Sequence, residues 1–113
     1  MGGDQVYLAR VTPTIENIAN GSRWEFYAGG HGENSKWVAG DTSQARPLVE
    51  WKNHTGVTTM TYFAGLRKFV LAISTTHRYP YTIYEFDTYF LESDSITGPW
   101  RFVSYMSKFG PQA

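Results

Sequence analysis

Two carboxylates that stand two residues apart, Glu85 and Asp87, form the acid pair of this sequence that is best suited to catalysis. Alternate side chains of a β-strand point to the same face, so both carboxylates would lie side by side if this segment is a strand. Glycoside hydrolysis uses such a pair, one group as acid and the other as base or nucleophile. A solvated strand face or an ion pair at a strand edge accounts for the same spacing, so both residues are weak candidates.

A second group of side chains with binding chemistry lies in residues 75–83, between two predicted strands. Aromatic rings cover the apolar face of a pyranose, and neighbouring polar groups fix its hydroxyls. Packing of the two tyrosines beneath their own loop is the alternative. The predicted substrate-binding residues are His77, Arg78, Tyr79 and Tyr81.

Other kinds of site find no support in the sequence. His31 and His54 stand alone in polar turns without a partner at metal-ligand spacing, so we expect no metal site. Residues 29–32 are rich in glycine, but no Lys-Ser pair or helix follows them as in a phosphate-binding loop. We therefore expect neither a metal nor a cofactor.

The composition narrows the class of protein. A chain of 113 residues is one domain at most, and its aromatic content of 17% is ample for a hydrophobic core. The formal net charge is zero and no basic stripe is present, which argues against nucleic acid as a partner. No apolar run approaches the length of a membrane span. Residues 1–4 lack the pattern of a signal peptide, and the compartment stays open.

The chain is organised around residues 56–105, which read as four consecutive strands. Thr, Val and aromatic residues dominate them, as is typical of β-structure. The first and last connections are short and contain Gly or Gly-Pro, as in turns, and they leave no room for a helix. We therefore predict an all-β fold with an antiparallel four-stranded meander, the shape of one β-propeller blade. The predicted strands are residues 57–63, 68–74, 84–92 and 100–105.

The first half of the chain contains shorter strand patterns. We favour a loop for residues 13–22, although Ile15 and Ile18 have the spacing of one helical turn, and we expect residues 52–55 to be a crossover. The predicted strands are residues 5–11, residues 23–28, a segment that begins at Trp37, and residues 47–51.

A shift of 63 residues superposes the two halves of the chain, as an internal repeat would. The first half then supplies three of the four strands of a blade, and the whole chain holds about one and three-quarter blades. Chance alignment of two aromatic-rich segments is the alternative. The identities under this shift include Leu8 with Leu71, Ala9 with Ala72, and Trp37 with Trp100.

The ordered set of these segments resembles a family of five-bladed β-propellers, uncharacterised relatives of arabinanase-like glycoside hydrolases. The chain would then be a single partial propeller domain over residues 1–113, with an incomplete first blade (5–51) and a complete second blade (56–106). The family implies carbohydrate as the substrate class. The resemblance rests on residues 6–11, on 24–29 with Trp37, on 60–66 with 69–71, and on Gly98-Pro99-Trp100.

The resemblance also bears on catalysis. Propeller hydrolases carry their carboxylates on the innermost strands, and the corresponding strand here, residues 57–63, has no Asp or Glu. The function expected is therefore a carbohydrate-binding fragment of a glycoside-hydrolase-like propeller that is not catalytic alone. A lectin-like or structural homo-oligomer, assembled from partial propellers, is the alternative.

Self-association is expected on physical grounds. Residues 69–73 form an apolar run that is too continuous for a sheet with one wet face. The first partial blade can cover only one side of this sheet, so the other side needs a second chain. A two-fold dimer is the simplest closed form, with an interface of about 1,000 Å² or more.

Overall fold

The computed structural model describes residues 3–76 and 86–109, and within them the fold is built from antiparallel β-sheets. The prediction of an all-β fold is confirmed. The described strands are β1 (Gly3–Val6), β2 (Ala9–Arg10), β3 (Glu25–Tyr27), β4 (Trp37–Ala39), β5 (Val49–Thr55), β6 (Val57–Phe63), β7 (Lys68–Thr76), β8 (Phe86–Ser93) and β9 (Arg101–Met106).

The largest sheet is a four-stranded meander in the order β6-β7-β8-β9, as the sequence predicts. β6 has the predicted bounds, and the bounds of β7 and β9 differ from the prediction by one or two residues. β8 is described from Phe86 onward, so the predicted start of this strand lies outside the described residues. Seven consecutive residues of β6 pair with β7 without an irregularity.

Two smaller sheets precede the meander. Two predictions for this part of the chain are wrong. The predicted strand over residues 5–11 is divided: β1 pairs with β5, whereas β2 joins β3 and β4 in a separate three-stranded sheet. Residues 52–55, expected to be a crossover, are the end of β5. Their polar side chains are typical of a loop, but Thr55 pairs with Gly3. The register between the two strands is irregular in this region, and Asn53 has a positive φ of 61°.

The loop predicted for residues 13–22 contains one helical turn, α1 (Ile15–Ile18), so this prediction is wrong in part. The Thr14 hydroxyl accepts a hydrogen bond of 3.1 Å from the Asn17 backbone N–H, as a helix N-cap does. Both isoleucines are exposed. The cap therefore accounts for this turn better than burial of its apolar side chains does.

The hydrophobic core lies on one face of the meander. Leu71, Ile73 and Leu91 are buried there, and Val6 and Val49 of the β1–β5 pair pack against them. We call this face the covered face. Val70 and Ala72 lie on the opposite face, the open face, where they are only partly buried. Leu71 and Ile73 of the apolar run are thus covered on one side within a single chain.

The internal repeat matches in strand order but not in register. A shift of 63 residues places β2, β3 and β4 on β7, β8 and β9, and both triplets are antiparallel. Ala9 pairs with Phe26, but Ala72 pairs with Phe90 and not with Tyr89, the residue that the shift predicts. A repeat of propeller blades therefore stays a prediction.

Candidate functional site

An aromatic cleft lies beside strands β8 and β9 of the meander, where the Trp51 side chain of β5 contacts them. Tyr89 of β8 pairs with Ile73 of β7. Because Ile73 lies on the covered face, the Tyr89 ring lies there too. Phe102 and Tyr105 of β9 pair with Leu91 and Tyr89 and share that face. Trp51 of β5 reaches the same rings from the β1–β5 pair. We use the name aromatic cleft for the space lined by Trp51, Tyr89, Phe102 and Tyr105.

The rings of the cleft support one another. The Trp51 ring meets the Tyr89 ring edge to face with centroids 4.7 Å apart, and the Tyr105 ring lies 4.9 Å from Tyr89 on its other side. His54 stacks on Trp51 at 4.5 Å with an interplanar angle of 7°. Because each ring contacts at least one neighbour, the cleft is held in shape before any ligand enters.

The cleft is open to solvent. Phe102 and Tyr105 are 57% and 45% exposed, whereas Trp51 and Tyr89 are partly buried beneath them. The volume of the cleft is 460 Å³, within the range of small-molecule sites. A contiguous patch of exposed apolar rings, in contrast to a single exposed ring, is a feature of sites that bind a ligand or a partner.

Among the described residues, the polar groups near the rings include the phenol hydroxyls of Tyr89 and Tyr105, the His54 imidazole and the Asp87 carboxylate. Burial raises the pKa of the Tyr89 phenol, and the nearby Tyr105 and Asp87 raise it further. Tyr89 therefore keeps its proton at neutral pH and can donate a hydrogen bond. The Asp87 carboxylate is 7% exposed and accepts a hydrogen bond of 3.0 Å from the Lys108 backbone N–H.

The predicted site residues divide into one that the structure describes and five that it does not. Asp87 lies on β8, two residues from Tyr89, at the edge of the cleft. The geometry of an acid pair with Glu85 stays untested, as does sugar binding by the segment 75–83. The predicted residues outside the described ranges are His77, Arg78, Tyr79, Tyr81 and Glu85.

A second cleft, of 570 Å³, lies beside the glycines of residues 29–30 and carries Lys36, Arg46 and Glu50. The Glu50 carboxylate accepts a hydrogen bond of 2.6 Å from the Gln5 amide, and it partly offsets the two cations. The mixed charges leave this cleft without the single sign that would select an ionic ligand.

Within residues 3–76 and 86–109, no cluster of three His, Asp or Glu side chains could hold a metal ion. The same part of the chain contains no helix that is long and apolar enough to cross a membrane.

Sequence reasoning missed the aromatic cleft because its residues lie far apart along the chain. Trp51 and Tyr89 meet only through the packing of β5 on the meander, and no local spacing encodes this packing. Within β8 a weak signal exists: Tyr89 alternates with Asp87 and Leu91, so a prediction of which face is covered would have placed all three together.

Comparisons with protein-family models, curated proteins and solved structures find no match to this chain.

Proposed function

We propose that this protein is a carbohydrate-binding module that is not catalytic alone. The aromatic cleft is the observation that carries this proposal. Its rings are exposed, mutually supported and flanked by hydroxyls, and a sugar needs an apolar surface for its C–H face and polar groups for its hydroxyls. This combination supports carbohydrate as the chemical class of the ligand.

A binding role fits the cleft better than a catalytic one. Among the described residues, Asp87 lies two residues from Tyr89 on β8, and its partners include the backbone of Lys108. Glycoside hydrolysis needs a second carboxyl group at a defined distance across the sugar bond. Strand β6, which the resemblance makes the innermost strand of a blade, consists of Val, Thr, Met, Tyr and Phe.

The architecture of a partial propeller is part of the same proposal. The four-stranded meander has the strand order of one blade, and a second set of three strands repeats part of that order. In this interpretation the cleft opens on the outer half of the blade, on β8 and β9. It would therefore be a binding surface distinct from the central axis where propeller hydrolases hold their carboxylates.

Titration with a panel of neutral pentose and hexose oligosaccharides tests the proposal. Calorimetry should detect binding, and Tyr105→Ala should weaken it about tenfold, the equivalent of about 1.4 kcal/mol. Tyr7→Ala is the matched control, because Tyr7 is 54% exposed and lies outside the cleft. No binding across the panel, or an equal loss in both variants, would overturn the proposal.

A structural homo-oligomer is the second candidate function, and exposed apolar residues of the open face favour it. Val57, opposite Ser74 in the sheet, and Met106, opposite Thr88, both lie on this face and are exposed. Large apolar side chains at the surface are a feature of association sites. Sedimentation velocity distinguishes this function, because it requires a defined oligomer in the absence of any sugar.

A further inference from the structure

The outer edge of β6 is an unprotected strand edge. β6 is the terminal strand of the meander and pairs on one side only, with β7, among the described residues. All seven of its residues are uncharged, and it contains neither proline nor glycine. A long regular strand of this kind presents backbone donors and acceptors that favour pairing with another strand.

The outer edges of β9, β2, β4 and β1 carry protective features. β9, at the opposite end of the meander, begins with Arg101 and pairs with β8 through an irregular register between Phe90 and Leu91. β2 and β4 are two and three residues long. β1 carries Asp4. Charge, irregularity and short length are the devices that keep sheet edges from associating, and β6 lacks all three.

We propose that two copies of this chain associate by antiparallel pairing of their β6 strands around a two-fold axis, which makes one continuous eight-stranded sheet. The register centred on Met60 pairs all seven residues of each strand. The axis is perpendicular to the sheet, so the covered faces of both copies lie on the same side. The occupant of this edge is therefore a second copy of the chain.

The side chains of β6 suit this self-pairing. In the register centred on Met60, Val57 faces Phe63 of the second copy, and Thr59 faces Thr61. Apolar-to-aromatic and threonine pairs of this kind stabilise antiparallel strands, and no like charges meet. The Trp51 side chain contacts Tyr89 and Phe102 on β8 and β9, so it lies on the half of the meander that is remote from β6.

A single engineered cysteine reports the register. The chain has no cysteine of its own, so a disulfide in Met60→Cys can form only between two copies. Directly opposed residues of antiparallel strands have Cα separations of about 4.5–5.5 Å, within the range that a disulfide spans. Under mild oxidation we expect rapid formation of a covalent dimer. Ser104→Cys, on the protected strand β9, is the control for random collision and should form it slowly or not at all.

Charge variants separate edge pairing from stacking of two open faces. Thr59 and Ser104 lie in one row across the open face, through Ala72 and Phe90. Thr59→Lys should abolish a β6 dimer, whereas Ser104→Lys should leave it intact. Stacked open faces would lose the dimer in both variants. Circular dichroism of each variant verifies that the sheet is still folded, and Thr61→Lys replaces Thr59→Lys if it is not.

Sedimentation velocity over a concentration series measures whether the chain and its variants form the dimer. If the β6 edges pair, the unmodified chain should form a concentration-dependent dimer. Thr59→Lys should then be a monomer, and Ser104→Lys should still be a dimer. A chain that stays monomeric up to about 1 mM, the weak limit of specific association, overturns it. Loss of the dimer in both lysine variants, or a disulfide in Ser104→Cys as fast as in Met60→Cys, also overturns it.

Discussion

At the scale of single residues, one ion pair fixes the junction between two strands. Lys68, the first residue of β7, contacts the carboxylate of Asp94 just after β8. The hydrogen bond and the positive charge of Lys68 hold the pKa of Asp94 below its ordinary value of 3.8, and Arg101 adds to the effect. The carboxylate is exposed, so solvent and salt screen this contribution.

The lowered pKa of Asp94 predicts an acid-sensitive contribution to stability. A group with a depressed folded-state pKa stabilises the fold above its ordinary pKa and loses that contribution as the pH falls through the lower value. Asp94→Asn should therefore flatten the decline in stability below about pH 4, measured by urea unfolding. Lys68→Gln should remove the same part of the decline. Identical pH profiles in all three proteins would contradict the prediction.

Trp100 gives a second prediction at this scale. Its ring packs against the buried cluster, but its indole N–H is buried without a hydrogen-bond partner among the described residues. Trp100→Ala should reduce the free energy of unfolding by about 3 kcal/mol, as for other large aromatic truncations. Trp100→Phe should reduce the free energy of unfolding by less, because the N–H group that it removes has no acceptor among the described residues. A loss under about 1 kcal/mol in Trp100→Ala, measured by reversible melting, would mean that the ring contributes little to the core.

At the scale of elements, Gly56 makes the step from β5 to β6 possible. A Cβ atom at this position would overlap the carbonyl oxygen of Ser74 on β7. Gly65, in the turn between β6 and β7, has open space around the same position. The two glycines thus have different reasons to be glycine, although both stand beside a strand of the same sheet.

These surroundings predict opposite outcomes for one substitution. Gly56→Ala should destabilise the protein by about 1–3 kcal/mol, since backbone must shift to relieve the overlap. Gly65→Ala is the matched control and should be neutral or stabilising by up to about 1 kcal/mol, because it restricts the unfolded chain. Chemical denaturation of both variants measures the difference. Equal effects would show that the close approach at Gly56 is not a constraint.

The elements also show what the sequence can and cannot predict. The meander was predictable because its strands are rich in β-formers and because its first and last connections contain Gly65 and Gly98. The pairing of β1 with β5 was not predictable, because residues 52–55 are polar. In addition, Gly3, which pairs with Thr55, lies near the N-terminal end of the sequence, far from β5 along the chain. The aromatic cleft depends on that pairing, because β5 carries Trp51 to the meander. Long-range packing, which local patterns do not encode, therefore positions the candidate site.

At the scale of the whole molecule, Thr97 joins the two halves of the chain. Its hydroxyl accepts a hydrogen bond of 2.7 Å from the Gly32 backbone N–H, and its carbonyl oxygen lies 2.8 Å from Nδ1 of His31. Thr97 itself is buried. The loop between β3 and β4 is thus attached to the turn between β8 and β9, and both sheets should unfold together.

Thr97→Val tests this cooperation. The substitution keeps the shape of the side chain but leaves the Gly32 N–H without its acceptor, so we expect a loss of about 1–3 kcal/mol in global stability. Hydrogen exchange should show the same loss at the Tyr27 amide, which bonds Leu8 in the first half, and at the Leu71 amide in the meander. Thr12→Val, in an exposed loop, should change both amides by less than about 0.5 kcal/mol. Faster exchange at Tyr27 with unchanged exchange at Leu71 would show instead that the three-stranded sheet opens independently, and that the meander is the stable unit to which the rest of the chain is attached.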